Sequence, residues 1–126
     1  IKLRLKMTII YIALGGSLGA VFRYLLQLFV NNNIQTTFPY STLIVNASGS
    51  FLMGLFFGIL ANKFPENTNL KYFLLTGLLG GFTTFSAFSL DVVKLIEQQH
   101  FTPALLYILS SVIISILMLW LGLNSS

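Results

Sequence analysis

The sequence predicts an all-α membrane protein of four transmembrane helices, the third broken near the membrane centre. Three observations carry this. First, 56% of the 126 residues are hydrophobic and 8% charged, whereas a soluble domain carries about 25% charged residues. Second, four stretches, residues 8–30, 41–61, 70–97 and 103–123, reach the length of roughly 20 mostly apolar residues that a span requires. Third, inside the third stretch the chain reads Gly80-Gly81-Phe82-Thr83-Thr84-Phe85-Ser86-Ala87-Phe88-Ser89. Two adjacent glycines and a run of hydroxyls weaken a helix where that is costly, because irregular backbone in hydrocarbon must be covered by protein or a water-filled cavity. Carbonyls freed at such a break can bind a cation, and freed N–H groups can face an anion. The segment suggests an ion site rather than a passive anchor.

Taken in order, residues 7–30 form too long an apolar run for a signal-peptide core of about 7–15 residues. No small-residue cleavage site follows, so the run reads as a retained span. Its Gly15/Gly19 and Gly16/Ala20 pairs have the small-xxx-small spacing that lets helix backbones approach, and read as packing. Arg23 lies about two turns from the span's end. It either faces a cavity or partner, as intramembrane charges do, or snorkels to the interface. At a pore mouth it would concentrate anions.

The second span places Asn46, Ser50, Gly54 and Gly58 on one helical face. A single asparagine there is either interhelical glue or a pore or ligand donor. In the third span, Phe85 and Phe88 share a face, either as core or lipid contact or as two weakly positive ring edges turned to an anion. Asp91 follows, either capping or paired near the membrane boundary, or solvated. The fourth span opens on Thr102-Pro103, the pattern of an N-cap followed by proline at the first helical position. Tyr107, Ser111 and Ser115 then recur every four residues as one polar stripe. Each serine alone could bond its own helix backbone, but three in register suggest a partner or a track. Trp120 suits an interfacial aromatic belt.

The connections, residues 31–40, 62–69 and 98–102, are short. The chain is therefore a single four-helix domain over residues 1–126 with no internal repeat. Both termini fall on one side, with Lys2, Arg4, Lys6, Lys63 and Lys71, against Lys94 on the other. This asymmetry favours cytoplasmic termini. The first methionine is Met7; a start there would leave Lys63 and Lys71 against Lys94, almost no bias, and insertion in both orientations.

Several function classes are excluded. With no cysteine there is no disulfide frame or thiolate metal site. His100 has no second metal ligand nearby, and Glu66, Asp91 and Glu97 are too dispersed for paired-carboxylate catalysis. Phosphate-loop and dinucleotide motifs are absent, and no basic patch on a folded surface marks a nucleic-acid binder. The residues point to no enzyme and to no nucleic-acid partner.

With these motifs in hand, the chain resembles the Fluc/CrcB family of small fluoride channels over nearly its whole length. The likeness rests on Gly15-Gly16-Ser17-Leu18-Gly19-Ala20 with Arg23-Tyr24, on Thr42-Leu43-Ile44-Val45-Asn46, and on the segment from Gly80 to Ser89. The resemblance implies a bacterial-type, multi-pass protein of the cell (inner or plasma) membrane. It implies an antiparallel, dual-topology homodimer with two pores, through which fluoride leaves passively and its cytoplasmic concentration falls. Some relatives are paired, fixed-orientation subunits, so a homologous partner chain is the alternative. By motif position, Asn46, Phe85 and Phe88 would be pore residues, and Tyr107, Ser111 and Ser115 the polar track. Gly80 and Thr83 would offer backbone carbonyls to a structural sodium ion at the dimer interface. The residue chemistry agrees: hydroxyl and amide donors can replace fluoride's water, while a fixed cation in the pore would hold the ion too tightly to conduct. Two positions depart from the family pattern, Ala87 where a hydroxyl residue is common and Asp91 where glutamate is usual. A small multidrug exporter, the main rival, would need a carboxylate in span one, where this chain has Arg23. A non-catalytic assembly subunit would leave Asn46, the phenylalanine pair and the serine stripe unexplained.

Overall fold

The structure is a computed structural model describing residues 1–126. Its elements are α1 (Lys2–Asn33), α2 (Tyr40–Lys63), α3 (Thr68–Lys71), a π-helical stretch (Tyr72–Leu79), α4 (Gly80–Phe82), α5 (Phe85–Glu97) and α6 (Phe101–Asn124). Four spans long and apolar enough to cross a membrane result: α1, α2, the composite Thr68–Glu97, and α6. At 24 residues, α2 and α6 are each about 36 Å long, enough for a hydrocarbon core of about 30 Å. Only 19 of 126 residues are buried, so most large apolar side chains face outward, as suits a chain solvated by lipid.

Glycine determines which helices touch. A Cβ on Gly15 would collide with the Phe73 carbonyl, and one on Gly19 with the Leu78 carbonyl. A Cβ on Gly81 would stand 2.6 Å from the Gly16 carbonyl oxygen. Gly15, Gly16 and Gly19 of α1 thus serve packing within the chain, against the first half of the third span. On the other side of the bundle, a Cβ on Gly54 would strike the Leu119 carbonyl, and one on Gly122 the Phe51 carbonyl. α2 and α6 therefore lie backbone to backbone. The small-residue face of α2 is divided in use: its lower half packs on α6, while Asn46 serves another purpose.

One local expectation is corrected and another is sharpened. α6 begins at Phe101, and its N-cap is His100 without a side-chain bond. Thr102 is not the cap and Pro103 is the third helical residue. Proline fits there because the first N–H groups of a helix have no intrahelical acceptor. Within the run of glycines and hydroxyls expected to weaken the third span, the break falls on the hydroxyls and not on the glycine pair. Gly80 and Gly81 remain helical, and the chain extends at Thr83 (φ −81°, ψ 155°) and Thr84 (φ −149°, ψ 117°). The run ahead of the break is π-helical over Tyr72–Leu79. A π-turn is a local widening frequent at functional sites, and hydropathy patterning carries no signal for it.

Candidate functional site

The break is held by one side chain from another helix. The Thr84 N–H donates to Asn46 Oδ1 at 2.8 Å, and Asn46 Nδ2 donates to the Thr84 carbonyl at 3.0 Å. One amide thus satisfies both backbone groups of the extended residue, meeting the requirement that irregular backbone at membrane depth be paired. The approach depends on Gly49, where a Cβ would overlap the Thr83 methyl and stand 3.0 Å from the Phe82 ring. Thr84 then starts α5 as a side-chain cap, its Oγ1 accepting the Ala87 N–H at 3.1 Å. Thr83 closes the preceding turn, with both its N–H and its hydroxyl donating to the Leu79 carbonyl.

These diversions leave specific carbonyls free. In a continuous helix the Thr84 N–H would bond the Gly80 carbonyl and the Ala87 N–H would bond that of Thr83. Here the first goes to Asn46 and the second to Thr84 Oγ1. Gly80 is exposed, and a Cβ there would meet nothing nearer than 3.6 Å. Between the two, the Gly81 carbonyl accepts from Arg23 Nε at 3.2 Å. The charge of α1 is thereby directed at the break rather than snorkelling to the interface. No group of three or more His, Cys, Asp or Glu side chains is gathered as a metal site.

Beside the break lies a cavity of about 300 Å³. Asn46, Thr83, Phe85, Phe88, Ser111 and Ser115 all line it. Six residues predicted from separate spans are therefore brought to one place. The two phenylalanine rings are 5.5 Å apart and tilted by 54°. Phe88 is buried, whereas Phe85 is 78% exposed and projects away from its own chain. Ser111 Oγ is buried with no hydrogen-bond partner. Buried polar atoms are nearly always paired, so such an orphan calls for a ligand, an ion or a water. Ser110, by contrast, donates to the Tyr107 carbonyl of its own helix, as the backbone-bonding reading of a lone serine expects.

Tyr107 stands behind this cavity rather than on its wall. It is fully buried, its ring 5.1 Å from that of Phe88 and edge-on to Phe38 at 5.6 Å. Its hydroxyl donates to Asp91 Oδ2 at 3.0 Å. Asp91 is therefore paired, one of the two readings its position allowed. Sequence reasoning did not single out Thr84 and Gly49, which make the cap possible. Thr84 had a visible signal, a hydroxyl immediately before a resumed helix. Gly49 had none, because what it makes room for is on another span.

Against known proteins, residues 10–123 match the family described as CrcB-like protein, Camphor Resistance (CrcB). The chain belongs to the CrcB family. It is 50% identical over 116 residues to a Flavobacterium psychrophilum protein named Fluoride-specific ion channel FluC, covering 92% of this chain and 94% of that one. A Rhodopseudomonas palustris protein of the same name is 45% identical over 117 residues, covering 93% and 94%. A third, from a Chelativorans strain, is 48% identical over 112 residues, 89% of this chain and 90% of its own. Proteins so named are ion channels, not enzymes, and a multi-pass membrane protein is what the four long apolar helices describe.

Proposed function

We propose that the chain is a fluoride-selective passive channel, assembled as an antiparallel, dual-topology homodimer with two pores, that lets fluoride leave the cell across the cytoplasmic membrane. The observation that carries the reading is the cavity at the broken span, where a phenylalanine pair faces an unpartnered buried hydroxyl. The relatives' name supplies the ion.

Each residue then has a defined task. Ser111 Oγ has a proton to give and no acceptor within the chain. Asn46 uses one amide hydrogen on the Thr84 carbonyl, and an amide carries two, so a second can meet an anion at the cavity. The phenylalanine edges add weak positive potential without a full charge, which permits release as well as entry. Arg23, turned to the break by the Gly81 carbonyl, would bias the local potential toward anions. Tyr107, held by Asp91, supports Phe88 from behind and would continue the polar track when its hydroxyl turns. A second subunit would cover Phe85, which is too exposed to act inside a passage formed by one chain alone.

A sodium ion fits the same break. Its candidate ligands are the Gly80 and Thr83 carbonyls, whose helical donors are diverted. Unwound carbonyls are the donors that membrane proteins use for sodium, and the exposed Gly80 face gives a second subunit room to supply the same pair. The bound ion would supply fixed positive charge that holds two broken helices together. Electrode-recorded efflux from liposomes tests the function: fluoride should leave rapidly and chloride should not. A folded, dimeric preparation that releases neither ion would overturn the homodimeric channel.

A further inference from the structure

At the end of the bundle remote from the Phe85 cavity, the short turn between α2 and α3 encloses a second cavity of about 270 Å³. Its walls include Phe57, Leu60, Ala61 and Leu75, and Asn67 and Lys71 also line it. Asn67 Oδ1 caps α3 by accepting the Leu70 N–H at 3.0 Å, which leaves the Nδ2 donor group directed elsewhere. The apolar walls suit hydrocarbon, and the ammonium and amide suit an anion.

Charge at this end is strongly one-sided. α1 starts here and α2 ends here, so Lys2, Arg4, Lys6 and Lys63 join Lys71, and Glu66 is the single acidic side chain. Tyr11 and Leu14 of α1 line a neighbouring hollow with Asn67 and Leu70. The residues of α1 before Ile10 therefore extend past the bundle by about 12 Å. That places three cations through the headgroup zone, which adds roughly 5–7 Å to each side of the hydrocarbon core.

We propose that this turn is a binding site for an anionic phospholipid, with the phosphate at Lys71 and Asn67 and an acyl chain in the cavity between Phe57 and Leu75. Basic pockets between transmembrane helices hold such headgroups. The apolar walls favour a lipid over free phosphate, which would leave them uncovered. None of these residues lines the cavity beside the break; Leu75 alone reaches toward the break, through its carbonyl, which accepts the Gly80 N–H.

Native mass spectrometry of the purified protein in detergent, titrated with phosphatidylglycerol or phosphatidylcholine, tests the proposal. Phosphatidylglycerol should be retained preferentially. Lys71→Gln should weaken that retention about fivefold, the factor expected of one basic residue at an anionic surface. Lys94→Gln, at the opposite end, should not change it. Ala61→Phe, which fills the cavity and keeps every charge, should reduce it at least as much as Lys71→Gln. Inorganic phosphate at millimolar concentration should not displace the lipid. Equal binding of the two lipids, an unaffected Ala61→Phe protein, or displacement by phosphate would each overturn the assignment. The second of these would mean diffuse surface attraction, and the third a free-phosphate site. Lys71 is exposed, so its loss leaves the fold intact.

Discussion

Asn46 offers the sharpest test because its two hydrogen bonds both end on one residue. Replacing it with leucine keeps the volume and removes both bonds to Thr84. Interhelical side-chain bonds in membranes average about 0.6 kcal/mol and reach about 1.7, so the pair accounts for roughly 1–3 kcal/mol. The Thr84 N–H and carbonyl are also left without a partner, at a cost of about 1–3 kcal/mol for each group that cannot find water. The cavity beside the break can admit that water, so the total should stay near the lower figures. Asn46→Leu should therefore unfold at lower denaturant but still assemble. Asn46→Asp separates structure from permeation. It keeps an acceptor for the Thr84 N–H and loses one bond, so about half the destabilisation is expected. It also puts a negative charge where the anion must pass. Stability should rank wild type, Asp, Leu, while fluoride efflux from liposomes should be lowest for Asp. Wild-type efflux from a folded Asn46→Asp protein would refute a pore role for this residue and leave it only a cap.

Four further substitutions probe the rest of the site. Ser111→Ala should be neutral or stabilising by about 1 kcal/mol, since it deletes an unpaired buried hydroxyl, yet fluoride flux should fall; lost stability would mean the hydroxyl is already paired. Phe85→Leu should leave the fold of the single subunit intact, because the ring is exposed within its chain, and should reduce efflux. Gly19→Ala should destabilise by about 1–3 kcal/mol or more, since its Cβ would meet the Leu78 carbonyl. Gly80→Ala, with its nearest neighbour at 3.6 Å, should spare the folded subunit and weaken dimerisation, measured by subunit exchange with and without sodium.

The four spans were legible because lipid imposes a length and a composition on each one, and those can be read locally. The helix ends were read a few residues short, since charged and amide residues such as Lys2, Lys6 and Asn33 continue a helix beyond the hydrocarbon and lower the hydropathy there. The position of the break was less legible. The whole run from Gly80 to Ser89 read as weak, yet Gly80 and Gly81 stay helical, with Gly81 packed where the Gly16 backbone passes. Gly81 serves packing, and the break falls on the two threonines, whose hydroxyls satisfy neighbouring backbone groups. That choice rests on Asn46, which is 38 residues away, and no local pattern contains such a partner. The Tyr107–Asp91 bond was half visible: both residues stood out, but sixteen positions and a turn separate them.

The proposed cation and anion sites share one hydrogen bond. If the Thr84 N–H turned back to the Gly80 carbonyl, α4 would extend and Asn46 would lose its acceptor's partner. The same hydrogen bond therefore both orients the Asn46 amide at the cavity and withholds a donor from Gly80. A cation on the free carbonyls and an anion-facing amide are then not independent. Sodium that favours free Gly80 and Thr83 carbonyls also favours the extended Thr83–Thr84 backbone on which Asn46 is seated. Linkage makes this reciprocal. Removing sodium should lower fluoride efflux even in dimers held together by a covalent cross-link, and Asn46→Leu should weaken sodium's stabilisation of the dimer. Cross-linked dimers that conduct equally well in sodium and in N-methylglucamine would show that the cation serves assembly alone and that the cap at Thr84 is rigid without it.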